Sequence, residues 1–361
     1  MKNRLYICHT YYHVFVTVMK ELNIKNICEK NGDVYSCGAT LILSSMSNDF
    51  GNLKERCDAS ELFEAVYMFD EKEDVTSDKV MKYHRDRGNT VLNLLQRIKY
   101  TRELGRLQEE YMPVDVSDYK DIYVYCDSDP IGYYLSYKHI RYHAIEDGLD
   151  CISAYDTARF SNRGHFALKA WMAKRGLLFI ENGYGKYCID MEVNDIGAIQ
   201  YPTSNMIQVN RERLFAGVSE SDYQAIVNIF MENADELLRI IRESEGRPSM
   251  MVLSEPLCDL DTRKKIFSDI IDIYGKGCVV YIKPHPRDSL DYTKEFPDAV
   301  VISGRFPMEV MNYIPGLKVD KLVSVFTMVK NISFADECVF LGEDFMDNYE
   351  EPAIHRQNEQ I

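Results

Sequence analysis

Cys278-Val-Val-Tyr-Ile-Lys-Pro-His-Pro-Arg287 is an apolar run that ends in a basic tip punctuated by prolines. Cys278 to Ile282 reads as a strand. Each proline keeps the residue before it out of the helical region, so Lys283 and His285 are expected to be extended and to share a side. The strand then brings Lys283, His285 and Arg287 to one spot, with Pro284 and Pro286 stiffening the turn. Such a spot suits an anionic ligand whose leaving phosphate must be neutralised and protonated. The plainer alternative is an edge strand with a solvated basic end.

Further short apolar runs surround this one. In the first half they are Leu5 to Cys8, Ala39 to Leu43, Ala65 to Phe69, Ile122 to Cys126 and His143 to Glu146. In the second half they are Met250 to Leu253, Ala299 to Ile302, Leu322 to Val325 and Cys338 to Leu341. Helical patterns lie between many of them: Tyr12 to Leu22, Asn89 to Tyr111, Ser219 to Arg242 and Thr262 to Tyr274. The alternation predicts an α/β protein with two parallel sheets and crossover helices, hence two Rossmann-like halves. We set the N-terminal domain at 1–155, a linker or crossover region at 156–210 and the C-terminal domain at 211–361. Within the linker, Leu177 to Ile180 is a candidate strand and Asn182-Gly-Tyr-Gly185 a turn. Ligands in such folds gather at the carboxyl ends of strands.

The chain has 361 residues, 46% of them hydrophobic and 27% charged, which suffices for two buried cores. A formal charge of −15 argues against nucleic acid as a partner, since phosphate neutralisation needs a basic surface. Ten cysteines without a C-x-x-C pair suggest neither a zinc site nor a disulfide framework, and fit a reducing cytoplasm. The N-terminal run is broken by His9, Thr10 and His13 and reads as a first strand, not a signal peptide. No stretch has the roughly 18 to 20 apolar residues that span a bilayer. The polar end from Glu350 to Ile361 is expected to be loose.

Chemistry is then sought where strands end. His143-Ala-Ile-Glu146-Asp147-Gly148 offers two carboxylates as general bases and a glycine for a sharp turn against a ligand. Met250-Met-Val-Leu-Ser254-Glu255-Pro256-Leu-Cys-Asp259-Leu-Asp261 ends in further carboxylates; Asp259 or Asp261 can be a base or a helix cap, and capping suits Asp261. Leu322-Val-Ser324-Val-Phe-Thr327 reads as a strand entering a helix through hydroxyls, an anion cradle or a simple cap. Cys8-His9-Thr10-Tyr11-Tyr12-His13 follows the first strand; Thr10, Tyr11 and His13 can line a sugar site, or cap a helix and fill the core. Asp127-Ser-Asp129 is a D-x-D, a pattern that binds a divalent metal in enzymes of the GT-A fold, but short D-x-D runs are common in acidic chains.

Taken in order, the T-Y-Y-H segment, the E-D-G turn, the K-P-H-P strand and the later Ser/Thr turn resemble bacterial sialyltransferases, above all glycosyltransferase family 52. The resemblance covers most of the chain and is strongest from Met250 to Leu341, including Pro307-Met-Glu309-Val. Polysialyltransferases of related families share the same motifs.

The resemblance implies a GT-B fold with two Rossmann-like domains facing a central cleft. It implies an inverting, metal-independent transfer of sialic acid from CMP-sialic acid to a galactose-terminated surface glycan of lipooligosaccharide or capsule, with no cofactor. His285 then contacts or protonates the CMP phosphate, and Lys283, Pro284, Pro286, Arg287, Ser254, Ser324 and Thr327 belong to the donor side. Val325 and Phe326 separate the two hydroxyls that such families often carry side by side, so which one holds the phosphate stays open. Glu146, Asp147 and Asp259 all stay open as the base. A cytoplasmic enzyme, peripheral contact with the inner face of the membrane and a homodimer are further expectations. The competing readings are a GT-B transferase with another donor, a CDP-polyol phosphotransferase and a non-catalytic sugar-nucleotide-binding subunit.

Overall fold

A computed structural model describes residues 2–35, 38–73, 78–125, 127–147, 166–179, 183–199, 202–285, 288–302, 305–327, 329 and 332–351. Contacts divide the chain into two units, Met1–Ser219 and Glu220–Ile361. Gly148, Pro286 and Arg287, all expected at the site, lie outside the described residues.

The first unit holds a seven-stranded sheet: β1 Lys2–Cys8, β2 Ala39–Ser44, β3 Ala65–Phe69, β4 Tyr119–Tyr125, β5 Tyr142–Ile145, β6 Cys188–Val193 and β7 Met206–Gln208. Its order is β3-β2-β1-β4-β5-β6-β7, and every pairing is parallel. All six residues of β2 are buried, which explains its uninterrupted run Ala-Thr-Leu-Ile-Leu-Ser: a central parallel strand is covered on both faces. Leu5, Ile7, Ile42, Val124, Ala144 and Met191 from five strands share one core with Tyr134, Leu135 and Phe166 from helices. Helix Tyr11–Asn31 starts where the Thr10 hydroxyl accepts from the backbone N–H of His13, and stops at Gly32, whose φ of 73° only glycine adopts freely. The sheet order reverses between β1 and β4, the switch point at which α/β sheets open a crevice.

The second unit repeats the plan with β8 Ser249–Leu253, β9 Val279–Lys283, β10 Val300–Val301, β11 Val319–Ser324 and β12 Ala335–Phe340. The order is β10-β9-β8-β11-β12, again all parallel, with its switch between β8 and β11. Met250, Val252, Ile282 and Val323 pack on Ile266, Phe267 and Ile270 of helix Leu260–Tyr274. Each such buried side chain stabilises the unit by roughly 1.5 to 3 kcal/mol.

Ten of the eleven strands read from the sequence are present, with ends within three residues of those expected. Four features differ. The 156–210 stretch contributes β6 and β7 to the first sheet; β6 mixes apolar and acidic residues and β7 has three residues, so neither shows as an apolar run. No strand forms over residues 177–179, and Ile180 lies outside the described residues. The single helix expected from Ser219 to Arg242 is two, Tyr223–Phe230 and Ala234–Glu243. Met231 is extended, with φ −110° and ψ 129°, and Asp235 and Glu236 stabilise the first turn of a new helix. Finally, among the described residues between Ser324 and Ala335 there is no helix.

Candidate functional site

At the carboxyl end of the first sheet, the backbone N–H of His9 donates to His13 Nδ1 at 3.0 Å. Nδ1 is therefore an acceptor, and Nε2 carries the proton that it donates to Asp147 Oδ1. The His13 ring is buried and stacks on Tyr125, centroids 4.4 Å apart and 11° from parallel. Burial pushes its pKa below the ordinary histidine value although Asp147 pulls the other way. A neutral imidazole thus orients the Asp147 carboxylate.

The two adjacent carboxylates differ. Asp147 has a side chain 34% exposed, whereas that of Glu146 is 4% exposed. Glu146 Oε1 accepts from the backbone N–H of Asn194 at 2.7 Å and lies 3.9 Å from Arg211 Nη2. Burial raises the Glu146 pKa, against the pull of Arg211. Of the pair, Asp147 is the carboxylate that a solvent-borne hydroxyl can meet.

Behind them lies a network that the sequence reading missed. His9 Nε2 is 2.7 Å from Glu71 Oε2, which also accepts from Ser44 Oγ at 2.6 Å, while Glu71 Oε1 accepts from the Ile131 backbone N–H at 2.6 Å. Ile131 lies in the first turn of helix Pro130–Lys138, so that helix's N-terminal end favours the carboxylate. Burial opposes a charge on His9, yet Glu71, with Asp129 and Asp147 further off, lifts its pKa to about 9. Because the folded value lies above the ordinary 6.5, the native state holds this proton more tightly than the unfolded chain. The stabilisation is complete below about pH 6.5 and is lost as pH rises through about 9, a span worth about 3 kcal/mol. Urea unfolding at pH 6, 7.5 and 9 is expected to show that decline in the protein and not in His9→Gln; an equal decline in both would remove His9 as its source.

Thr10 and Tyr11 serve local structure: Thr10 caps its helix, and the Tyr11 hydroxyl donates to the Asp49 carbonyl at 3.2 Å. The two aspartates of the D-x-D face different partners. Asp127 is buried, accepting from the Tyr142 hydroxyl at 2.7 Å and from the Gly183 N–H at 3.2 Å, whereas Asp129 Oδ2 is 3.5 Å from His9 Nε2. Among the described residues no group of three or more His, Cys, Asp or Glu side chains is arranged to hold a metal ion.

In the second unit the turn after β9 is fixed by its backbone. The His285 N–H donates to Ser254 Oγ at 3.0 Å, and that hydroxyl donates to Asp288 Oδ2 at 2.8 Å. Asp288 also accepts from Arg263 Nη1 and the Tyr292 hydroxyl, each at 2.7 Å, and from the Leu290 N–H at 3.0 Å. Arg263 in turn donates to the carbonyls of Leu257 and Cys258. Asp288 and Arg263, neither singled out in the sequence, therefore lock the half-buried His285 to the end of β8.

Three expectations for this unit change. Lys283 is buried, not displayed at a basic tip: its ammonium donates to the Pro284 carbonyl at 3.1 Å and sits 4.2 Å from the Phe306 ring centroid. Burial lowers its pKa to about 8. Asp259, not Asp261, is the helix cap; it accepts from the N–H groups of Asp261 and Thr262, both at 3.0 Å, and from the Thr262 hydroxyl. Those bonds from Thr262 hold its pKa below the ordinary carboxylate value, and a carboxylate so used is a poor proton acceptor. Ser324 and Thr327 do not start a helix. Ser324 Oγ donates to the Thr327 carbonyl at 2.9 Å, and the N–H groups of Phe326 and Thr327 donate to the buried Glu255 carboxylate at 3.0 and 2.7 Å. An anion seat does exist across the β8–β11 switch, and the chain's own Glu255 fills it.

The model of glycosyltransferase family 52 matches residues 68–329. A curated relative from Haemophilus influenzae, an uncharacterized protein, is 32% identical over 87 residues, which are 23% of this chain and 28% of that protein's length. Among solved structures, a sialyltransferase from Photobacterium damsela aligns with a TM-score of 0.50 at 12% identity, covering 94% of this chain and 74% of the other. An alpha/beta-galactoside alpha-2,3-sialyltransferase from Photobacterium phosphoreum aligns with a TM-score of 0.46 at 12% identity over 93% and 90% of the two chains. The fold likeness rests on the first of these structures, and with two parallel α/β units the fold class is GT-B. No described helix is long and apolar enough to cross a membrane.

Proposed function

The chain belongs to glycosyltransferase family 52, and on that premise we propose that it moves sialic acid from CMP-sialic acid to a galactose-terminated surface glycan, of lipooligosaccharide or capsule, with inversion and without a metal. The unit Glu220–Ile361 takes the CMP part of the donor, and the unit Met1–Ser219 supplies the acceptor base. Breakage of the bond from the sialyl C2 to phosphate leaves negative charge on CMP, and His285 meets that charge. The acceptor hydroxyl attacks C2 and passes its proton to Asp147. His13 is a positioning residue that holds Asp147 as an oriented carboxylate. Glu146 and Asp259 drop out as bases, the first because it is buried and the second because it caps a helix. A cytoplasmic setting at the inner face of the membrane is part of the same proposal.

The reading is carried by one observation: a partly exposed carboxylate held by a neutral, buried histidine at the carboxyl end of a parallel sheet. Incubation with lactose and a panel of donors tests it. A product heavier by one sialyl residue, from CMP-sialic acid alone, is the expected result. Consumption of a nucleotide hexose, CMP-Kdo or CDP-glycerol instead would replace the donor assignment, and CMP binding without turnover would make the protein a carrier.

A further inference from the structure

Arg211 opens helix Arg211–Ala216, just beyond β7. Its backbone N–H donates to Asn194 Oδ1 at 2.8 Å, and Asn194 follows β6 directly, so the residue is fixed at the carboxyl ends of two strands. The side chain is only 7% exposed. Among the described residues, none of its three guanidinium nitrogens has a hydrogen-bond partner. The nearest anion, Glu146 Oε1, is 3.9 Å away and already accepts from Asn194, while Glu146 Oε2 is also buried without a partner. Buried guanidinium groups are ordinarily saturated, because five N–H donors removed from water are costly to leave unmatched.

We infer that Arg211 is the receptor for the carboxylate of an acidic sugar, which docks on its free N–H fork while a hydroxyl of the same sugar bonds to Glu146 Oε2. The planar fork matches a carboxylate by two parallel bonds. A phosphate dianion fits less well, because the Glu146 carboxyl lies against the same guanidinium and repels a second negative charge. The inference rests on the sialyl-transfer reading for the identity of the sugar, and either substrate can supply the carboxylate: the sialyl group of the donor or an acidic residue of the acceptor.

The test measures binding of free N-acetylneuraminate and of its methyl ester by calorimetry, with CMP as a control, to the protein, Arg211→Met and Arg211→Lys. The acid is expected to bind the protein and the ester not. Arg211→Met is expected to weaken the acid on the order of a hundredfold and to leave CMP unaffected, with thermal unfolding of the same preparation checking that the variant is folded, because the substitution leaves Glu146 buried without its cation. Arg211→Lys, which keeps charge but not the fork, is expected to fall between. Initial rates then separate the sources. A raised donor KM with lactose as acceptor assigns the carboxylate to the donor, and a defect confined to sialylated acceptors assigns it to the acceptor. Equal binding of acid and ester by the parent, or undiminished binding by Arg211→Met, would overturn the inference. Absence of sialyl transfer by a parent that still prefers acid to ester would overturn the function reading alone.

Discussion

His285→Ala is expected to lower the transfer rate by about three orders of magnitude, the usual scale for losing a group that handles a leaving proton or charge, with little change in melting temperature. The turn is held through the His285 backbone N–H on Ser254, and through Asp288 with its bonds to Arg263, Tyr292 and Leu290. None of these bonds uses the imidazole, so its removal leaves them in place. Initial rates and thermal unfolding on the same preparation check both parts. Near-normal transfer would take His285 out of the mechanism, and a collapsed melting temperature would make its role one of folding.

Asp147→Asn is expected to cost a similar factor, about a thousandfold. Asparagine keeps an oxygen to accept from His13 Nε2, so the local geometry survives; it cannot take a proton from the acceptor. Glu146→Gln, at the neighbouring position, is expected to lose far less, because that buried group meets Asn194 and Arg211. Parallel rate measurements on the two variants decide the point. An active Asp147→Asn beside an inactive Glu146→Gln would move the base by one residue, and two active variants would move it out of this turn.

The strands are readable because central parallel strands are buried on both faces and so are written as apolar runs, as in β2 and β8. The strand-end turns followed, and with them Asp147, His13, Ser254 and His285. What stayed hidden was pairing over long sequence separations. Glu71 sits in an acidic stretch, Asp70-Glu-Lys-Glu-Asp74, that reads as a solvated loop; only the adjacency of β1, β2 and β3 brings it to His9. Asp288 is overshadowed by Arg287, and its partner Arg263 lies on a helix that begins between β8 and β9. The hydroxyls Ser324 and Thr327 suggested a helix start, but the backbone N–H groups beside them find their acceptor in Glu255, some seventy residues earlier and across the switch between β8 and β11. In the sequence Lys283 reads as the charged end of a strand, whereas Phe306 covers its ammonium and burial lowers its pKa.

The central claim, that this family 52 protein uses CMP-sialic acid as a glycosyl donor, is tested most directly by CMP release from that donor in EDTA, with and without lactose. Release that lactose stimulates and EDTA leaves unchanged is the expected result. CMP-sialic acid left intact by a folded protein under both conditions would contradict it.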